Sequence, residues 1–454
     1  MFRNHSRERK SFNPTRLVAS SFAVIILIGT LLLLLPAASR DGKSAGLLTA
    51  LFTATSSTCV TGLILVDTWT QWSLLGQVVI LCMIQLGGLG FMTVLTLLSL
   101  ALKRRIGLSE RLLMVSTFNL NGMEGVVRVV RLAVKGTFLC EGVGALILTL
   151  CFWPRFGFSG ALWRGIFHAV SAFCNAGFDL MGGKYGAFSS LSGFSNHPLV
   201  LLTLSALVVI GGLGFFVWME LWEKRNWKDL SLYSKMVLGI SSGLLLFGMV
   251  YVFCAEFANP KTLGPMPWWD KLSNALFQSV TLRTAGFDAV GQGNLTESTK
   301  AMSLFLMFVG GSSGSTAGGL KTVTIGVLLL SLRAGLAGEA QVTLRGRTIP
   351  YQQVLSATTL TLTVVCCFTA ASLLMTTIEG LPYLDVAFEV ASAMATVGLT
   401  VGITPTLSTV SKLLLIALMY LGRVGILSFS IAFLTRSRRT PKVTYPEISH
   451  ILIG

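Results

Sequence analysis

Long runs of apolar residues separated by short polar segments dominate this chain of 454 residues. Runs such as 17–37 and 236–257 reach the roughly 20 residues that a helix needs to cross a bilayer. Between them lie shorter, helix-compatible runs of small, hydroxyl and apolar residues that cannot span a membrane. The pattern therefore predicts an all-α polytopic membrane protein in which spanning helices alternate with half-length, re-entrant helices.

A short phrase follows each half-length run and occurs four times. Each phrase closes on a glycine: Gly62, Gly177, Gly286 and Gly398. Each run opens nine or ten residues earlier on a phenylalanine: Phe52, Phe167, Phe277 and Phe388. The repeated unit is an outer helix, a re-entrant pore loop made of a half-helix and a glycine turn, and an inner helix. Four units predict one central pore, because irregular backbone at membrane depth must be buried in protein or line a watery cavity.

The apolar runs assign two spanning helices to each unit. The outer helices are predicted near 17–37, 136–153, 236–257 and 353–378, and the inner helices near 73–102, 198–221, 301–333 and 410–434. The first half-helix is predicted near 46–58, and the segment from 106 to Lys135 is expected to lie on the inner membrane surface. The cytoplasmic N-terminus, the four pore units and the C-terminal tail then occupy 1–16, 17–105, 106–221, 222–334, 335–440 and 441–454.

Carbonyl groups at the four glycine turns are the candidate cation ligands. Glycine adopts positive φ without strain, so neighbouring carbonyls can turn toward a common axis and replace the water of a dehydrated cation. The candidate filter residues are Val60, Thr61, Gly62, Asn175, Ala176, Gly177, Thr284, Ala285, Gly286, Thr396, Val397 and Gly398. We expect Arg283 to point away from this filter and to pair, with Asp288 as a candidate partner. Asp67, Asp179 and Asp288 follow turns, where they would either concentrate cations or cap the turns.

Two further features indicate a constriction below the filter. Inner helix three contains five glycines within ten residues, which makes a continuous helix improbable: Gly310, Gly311, Ser312, Ser313, Gly314, Ser315, Thr316, Ala317, Gly318 and Gly319. Arg423 lies near mid-membrane, where an arginine is costly and faces a partner or a water-filled path. The alternatives are a kink without a gating role for the glycine run, and a structural ion pair for Arg423. Glycine patches at 85–90 and 210–214 fit either close approach around a pore or ordinary helix packing.

The net charge of +16 reflects membrane topology rather than nucleic-acid binding. With a cytoplasmic N-terminus and eight crossings, the excess of lysine and arginine falls in cytoplasmic segments, and the C-terminus is cytoplasmic too. A secreted disulfide framework and a zinc site are not expected, since the eight cysteines lie in or beside apolar runs. Four dispersed histidines offer no catalytic cluster, so the chain is not expected to be an enzyme.

The four glycine phrases, together with 310–319 and Gly422-Arg423-Val424-Gly425, resemble the Trk/Ktr/HKT cation-transporter superfamily. The resemblance extends from about residue 17 to Gly454 and is strongest to the bacterial Ktr membrane subunit. It implies a homodimer in the cell membrane, in contact with lipid, gated by the 310–319 loop and Arg423. It also implies a cytosolic nucleotide-binding regulatory ring as partner, so the nucleotide is expected there and no cofactor in this chain.

The resemblance implies K⁺ as the transported ion, because a serine at the first filter glycine accompanies sodium preference and this chain has Gly62. Dependence of uptake on Na⁺ stays open, as does a sodium-permeable protein. A cation-coupled symporter is the other alternative, although symporters usually contain two inverted repeats rather than four parallel ones.

Overall fold

The computed structural model describes residues 14–90 and 126–425. This part of the chain is mostly α-helical, which confirms the predicted fold class. Four helices are long and apolar enough to cross a membrane: Arg16–Leu34, Leu132–Phe173, Leu232–Glu256 and Tyr351–Glu379. A bent helix pair adds a fifth span if it is counted as one. The chain is therefore a multi-pass membrane protein.

Units one and two follow the predicted order. Outer helix one, pore helix one and inner helix one are Pro14–Leu34, Leu47–Thr58 and Leu74–Leu89. The helical stretch Val126–Phe173 changes direction at Gly157, whose φ of 70° is not helical. Gly157 thus separates outer helix two from pore helix two. Inner helix two comprises Pro198–Gly212 and Phe215–Lys224.

Units three and four repeat the arrangement. Outer helix three, pore helix three and the two halves of inner helix three are Leu232–Glu256, Trp268–Thr281, Glu297–Phe308 and Thr322–Leu336. Outer helix four, pore helix four and inner helix four are Tyr351–Glu379, Tyr383–Met394 and Thr409–Val424. A small antiparallel hairpin, Thr343–Leu344 with Arg347–Thr348, connects the two units. Short helical turns lie at Pro36–Ala38, Thr68–Gln71, Gly182–Tyr185, Ser192–Phe194, Trp227–Asp229, Gln292–Asn294 and Thr404–Thr406.

The distribution of burial separates a lipid-facing shell from a central core. Each outer helix exposes leucine to its surroundings: Leu27, Leu146, Leu246 and Leu362. The C-terminal parts of the pore helices are largely buried instead, and in pore helix four every residue from Val386 to Met394 is buried. The phenylalanines that open the four repeats are at most 1% exposed. Apolar atoms thus face the membrane on the outside, while the half-helices fill the centre.

Three predicted helix bounds are corrected by the structure. Inner helix two is not continuous over 198–221, because its first half ends at Gly212 and its second half begins after Gly214, whose φ is 89°, at an angle of 96° to the first. Outer helix two is longer than 136–153, since the helix already includes Val126 and extends to Gly157. Residues 126–135 therefore belong to that helix and not to a separate surface segment.

Inner helices one and four end at glycines of similar conformation, Gly90 with φ 79° and Gly425 with φ 90°. The predicted continuations to 102 and 434, the N-terminus through residue 13 and the C-terminal tail lie outside the described residues. The predicted break in inner helix three is confirmed, since no regular helix joins Phe308 to Thr322.

Candidate functional site

The four predicted filter turns have the same backbone conformation. The residue two places before each glycine adopts a left-handed φ: Val60 at 56°, Asn175 at 58°, Thr284 at 69° and Thr396 at 53°. The glycines themselves have positive φ: Gly62 at 96°, Gly177 at 71°, Gly286 at 81° and Gly398 at 94°. Three of the left-handed residues are β-branched, for which this region is strongly disfavoured, at about 1–3 kcal/mol each. The surrounding protein must therefore impose the turn.

Contacts between the glycines show that the turns meet around one axis. A Cβ built on Gly62 would lie 2.5 Å from the carbonyl oxygen of Ala176, the residue before the next glycine. The other three glycines are placed in the same way. A Cβ on Gly177 would lie 2.9 Å from the carbonyl oxygen of Ala285, one on Gly286 would lie 2.6 Å from that of Val397, and one on Gly398 would lie 2.1 Å from that of Thr61. Each glycine therefore faces a carbonyl of the next unit. The four turns form a closed ring of backbone, which we call the filter ring.

Hydroxyl groups of the pore helices hold the filter ring, and the sequence interpretation missed them. Ser56 and Ser392 accept hydrogen bonds from the backbone N–H of Gly62 and Gly398, at 3.1 and 3.0 Å. In the other two units the hydroxyl donates instead. Ser171 donates to the carbonyl of Phe178 at 2.8 Å, and Thr281 donates to that of Phe287 at 2.7 Å. The sequence pattern that could have indicated them is a serine or threonine five or six residues before each filter glycine.

The C-terminal ends of the pore helices adjoin the filter ring. The helices end at Thr58, Phe173, Thr281 and Met394, immediately before the turns. Helix C-termini carry partial negative charge, so these ends favour a cation near the ring.

Glycines of the inner helices pack closely against these pore-helix ends. A Cβ on Gly87 would lie 2.0 Å from the carbonyl oxygen of Thr58, and one on Gly211 would lie 2.0 Å from that of Phe173. A Cβ on Gly422 would likewise lie 2.1 Å from the carbonyl oxygen of Met394. The glycine patches thus allow the inner helices to pack closely against the ends of the pore helices.

Replacing Gly87 with alanine should lower the thermal stability of the purified protein, since the new methyl group meets backbone and not a flexible side chain. Gly142, on the exposed side of outer helix two, is the matched control because a Cβ there would have no neighbour within 4 Å. Alanine at Gly142 should leave the melting temperature unchanged or raise it. Equal melting temperatures for the two variants would contradict the close packing at Gly87.

The segment 309–321, which we call the intramembrane loop, is closed at its neck by backbone pairing. Gly310 donates to the carbonyl of Leu320 at 3.0 Å, and Leu320 donates to that of Phe308 at 3.0 Å. The loop then crosses toward unit two, where Ser312 donates to the carbonyl of Gly212 at 3.0 Å. Its irregular backbone therefore finds partners inside the protein, as the membrane requires.

The intramembrane loop lies directly against the filter turns. Thr316 donates its hydroxyl to the carbonyl of Phe173, at the end of pore helix two, over 3.0 Å. On the opposite side, a Cβ on Gly318 would lie 1.9 Å from the hydroxyl of Thr396 in filter turn four. A loop from unit three thus bridges from unit two to unit four.

Arg423 joins this loop to inner helix one. Its guanidinium donates to the carbonyl of Thr316 at 2.6 Å and to the carbonyl of Gly87 at 2.6 Å. A further bond reaches Gly88 at 3.3 Å. Backbone carbonyls, rather than the carboxylate of an ion pair, are therefore the hydrogen-bond partners of this arginine. The charge of Arg423 therefore lies beside the intramembrane loop.

The prediction that Arg283 pairs with Asp288 is wrong. Arg283 does turn away from the ring, but it donates to the carbonyl of Gly310 at 2.9 Å and to that of Ser241 at 3.4 Å. Asp288 instead accepts from the backbone N–H groups of Val290, Gly291 and Gln292. Asp179 likewise accepts from the backbone N–H of Met181, and Asp67 accepts from that of Thr70 and also from that of the distant Phe188. All three aspartates are turn caps.

The fold and the site define a helical membrane protein built around an axial ring of backbone carbonyls. Comparison with known proteins identifies the class further. A family model described as TrkH, cation transport protein, matches residues 1–440, and the chain belongs to this family.

Curated relatives match over nearly their full length. The potassium/sodium uptake protein NtpJ of Enterococcus hirae is 39% identical over 99% of both chains. The Ktr system potassium uptake protein B of Bacillus subtilis is 38% identical over 96% of both chains. The crystal structure of the potassium transporter TrkH from Vibrio parahaemolyticus superimposes with a TM-score of 0.72 at 20% identity, over 95% of this chain and 86% of that one. These relatives are transporters and not enzymes, and the likeness to TrkH shows the fold.

Proposed function

We propose that this protein is the membrane subunit of a potassium uptake system. The observation that carries the proposal is the filter ring, in which each of four glycines faces a carbonyl of the next unit. Carbonyl rings of this kind can replace the hydration shell of K⁺. The carbonyls of Thr61, Ala176, Ala285 and Val397, with those of the left-handed residues before them, are the proposed ligands.

The intramembrane loop and Arg423 are the proposed gate. The loop contacts Phe173 on one side and Thr396 on the other, which supports a position across the path. A cation that leaves the ring would meet the charge of Arg423 in a medium of low dielectric constant, where repulsion is strong. Displacement of the loop would open the path and also remove one of the partners that position the arginine.

The proposed assembly is a homodimer with a cytosolic nucleotide-binding regulatory ring. The named similarity to Ktr system proteins supports a partner, since those names describe components of a multi-part system. Cytoplasmic N- and C-termini would place the basic segments on the side of that partner.

Potassium uptake by a cell that lacks its own uptake systems tests the proposal. The protein should restore growth at low K⁺, and co-expression of a cytosolic Ktr partner should raise the initial uptake rate. Na⁺ uptake by the same cells tests the alternative of sodium permeation. The Enterococcus relative is named a potassium/sodium uptake protein, which is the reason to test this alternative. Absence of K⁺ uptake from cells that contain the protein and partner in the membrane would refute the proposal.

A further inference from the structure

A buried carboxylate lies behind filter turn four, on pore helix four. Glu389 is 0% exposed, and both of its oxygens accept hydrogen bonds. One oxygen accepts from the hydroxyl of Thr400 at 2.5 Å and from the backbone N–H of Val401 at 3.1 Å. The other accepts from the hydroxyl of Thr404 at 2.6 Å. The partners of this carboxylate are thus neutral groups that all belong to one short segment.

That segment, 400–404, is the exit of filter turn four, which begins two residues after Gly398. The hydroxyl oxygens of Thr404 and Thr400 also lie 3.0 Å from each other, so the two hydroxyl donors adjoin one another at the carboxyl group. Three residues along pore helix four from Glu389, Ser392 accepts from the N–H of Gly398. Residues three apart lie on the same side of a helix. One face of pore helix four therefore holds both the filter glycine and the chain that leaves it.

The corresponding position in the other units holds the exit segment less firmly. The residues three places before the supporting hydroxyls are Thr53, His168, Gln278 and Glu389. His168 accepts a single, long hydrogen bond from the N–H of Leu180 at 3.4 Å. Gln278 exchanges two bonds with Gln292, which in turn donates to Asp288 at 2.8 Å. The hydroxyl of Thr53 has no partner within the described residues.

Turn four also contacts both of its neighbours in the filter ring. The Val397 carbonyl faces Gly286 of turn three, and Gly398 faces the Thr61 carbonyl of turn one. A displacement of turn four would therefore move the carbonyls of turn one. Three hydrogen bonds from the exit segment converge on Glu389, and a displacement of turn four would have to break them.

We propose that Glu389 is a positioning residue that sets the K⁺ selectivity of the ring by fixing turn four through Thr400, Val401 and Thr404. The proposal rests on the proposed function, since it assumes that the ring selects the ion. Glu389 does not touch the ion. It acts by limiting how far the Val397 carbonyl can move toward the smaller Na⁺, because a looser ring can contract around either ion.

Uptake of K⁺ and of Na⁺ as a function of concentration, per molecule in the membrane, tests this role. Glu389→Leu removes every acceptor at similar volume, and its ratio of K⁺ to Na⁺ affinity should fall about tenfold, equal to about 1.4 kcal/mol. Thr404→Val removes one donor and should lower the ratio about threefold, since it breaks one of the three bonds. Glu389→Gln keeps one carbonyl acceptor, and its ratio of K⁺ to Na⁺ affinity should lie between that of Thr404→Val and that of the parent.

Two matched controls separate this effect from general damage. Glu297→Gln removes a carboxylate whose side chain is 77% exposed, and Thr406→Val removes an exposed hydroxyl that donates only to Ile403 nearby. Both should keep the parental ratio. If Glu389→Leu does not reach the membrane, Thr404→Val alone decides.

A parental ratio in Thr404→Val, or in Glu389→Leu at parental expression, would overturn the proposal. It would also be overturned if Glu389→Gln lost as much selectivity as Glu389→Leu, since charge rather than the hydrogen bonds would then matter. The proposed function fails separately, if the parent protein itself transports no K⁺.

Discussion

Replacing Gly62 with serine should admit Na⁺ to the proposed filter and lower the K⁺-to-Na⁺ affinity ratio of uptake by about tenfold or more, a change of at least about 1.4 kcal/mol. A Cβ at this position would lie 2.5 Å from the carbonyl oxygen of Ala176 and 3.2 Å from the Cα of Gly398. Neither neighbour is a flexible side chain, so the backbone of the ring must shift. The φ of 96° adds strain for any residue other than glycine.

Gly46 provides the control for this substitution, because it lies in the same unit, has a φ of 82° and has open space around its Cβ position. Gly46→Ser carries similar backbone strain but touches no carbonyl of the ring. It should therefore keep the parental ratio, even if stability decreases. An unchanged ratio in Gly62→Ser, with normal amounts in the membrane, would remove Gly62 from the filter.

Neutralising Arg423 or shortening the intramembrane loop should raise K⁺ flux, including in cells without the cytosolic partner. Arg423→Ala removes both the fixed charge and the two bonds that join Thr316 to Gly87. Deletion of 311–315 removes five residues of the loop that bridges from unit two to unit four and thereby shortens it. Each reduction of the barrier by about 1.4 kcal/mol gives about a tenfold increase in rate. The double variant should add little, because both changes act on one constriction.

Arg423→Lys distinguishes repulsion from tethering. Lysine retains the charge but lacks the planar fork that reaches two separate carbonyls. A flux close to that of the parent indicates that repulsion dominates, and a flux close to that of Arg423→Ala indicates that the tether dominates. Arg333→Ala, at an exposed arginine in the last turn of Thr322–Leu336, is the charge-matched control and should not change the rate. Parental rates in both Arg423→Ala and the loop deletion would place the constriction elsewhere.

The repeat and its turns could be predicted from the sequence because their causes are local. A half-length apolar run followed by a glycine is visible in the residues themselves, and so is the dense glycine run at 310–319 that breaks inner helix three. Backbone conformation at these sites follows largely from which residue is glycine.

The break in inner helix two could not be predicted in this way, because the intramembrane loop contributes to it from outside. Phe215 donates to the carbonyl of Gly314, and Ser312 donates to that of Gly212, so contacts from unit three satisfy the backbone that the break frees. The phrase at 211–214 resembles that at 87–90, and both end in a glycine with φ near 80–90°. Treated only as a packing patch, the phrase did not indicate a helix end.

Hydrogen bonds between side chains and distant parts of the fold could not be predicted from the sequence either. Sequence proximity favoured Asp288 for Arg283, whereas the structure supplies the carbonyls of Ser241 in outer helix three and of Gly310 in the intramembrane loop. Glu389 gave no signal at all, since a single carboxylate in an apolar run shows neither its burial nor its partners. Such partners depend on how separate units pack, which local patterns do not encode.

The ring is built from four similar quarters, but the proposed gate beneath it uses parts of only two. The intramembrane loop belongs to unit three, and the arginine that reaches it belongs to unit four. In the proposed mechanism, opening therefore does not require the concerted dilation of four helices. Only the intramembrane loop must leave its contacts with Phe173, Thr396 and Arg423, while the carbonyls of the filter ring stay in place. Conduction could thus be switched without a change in selectivity.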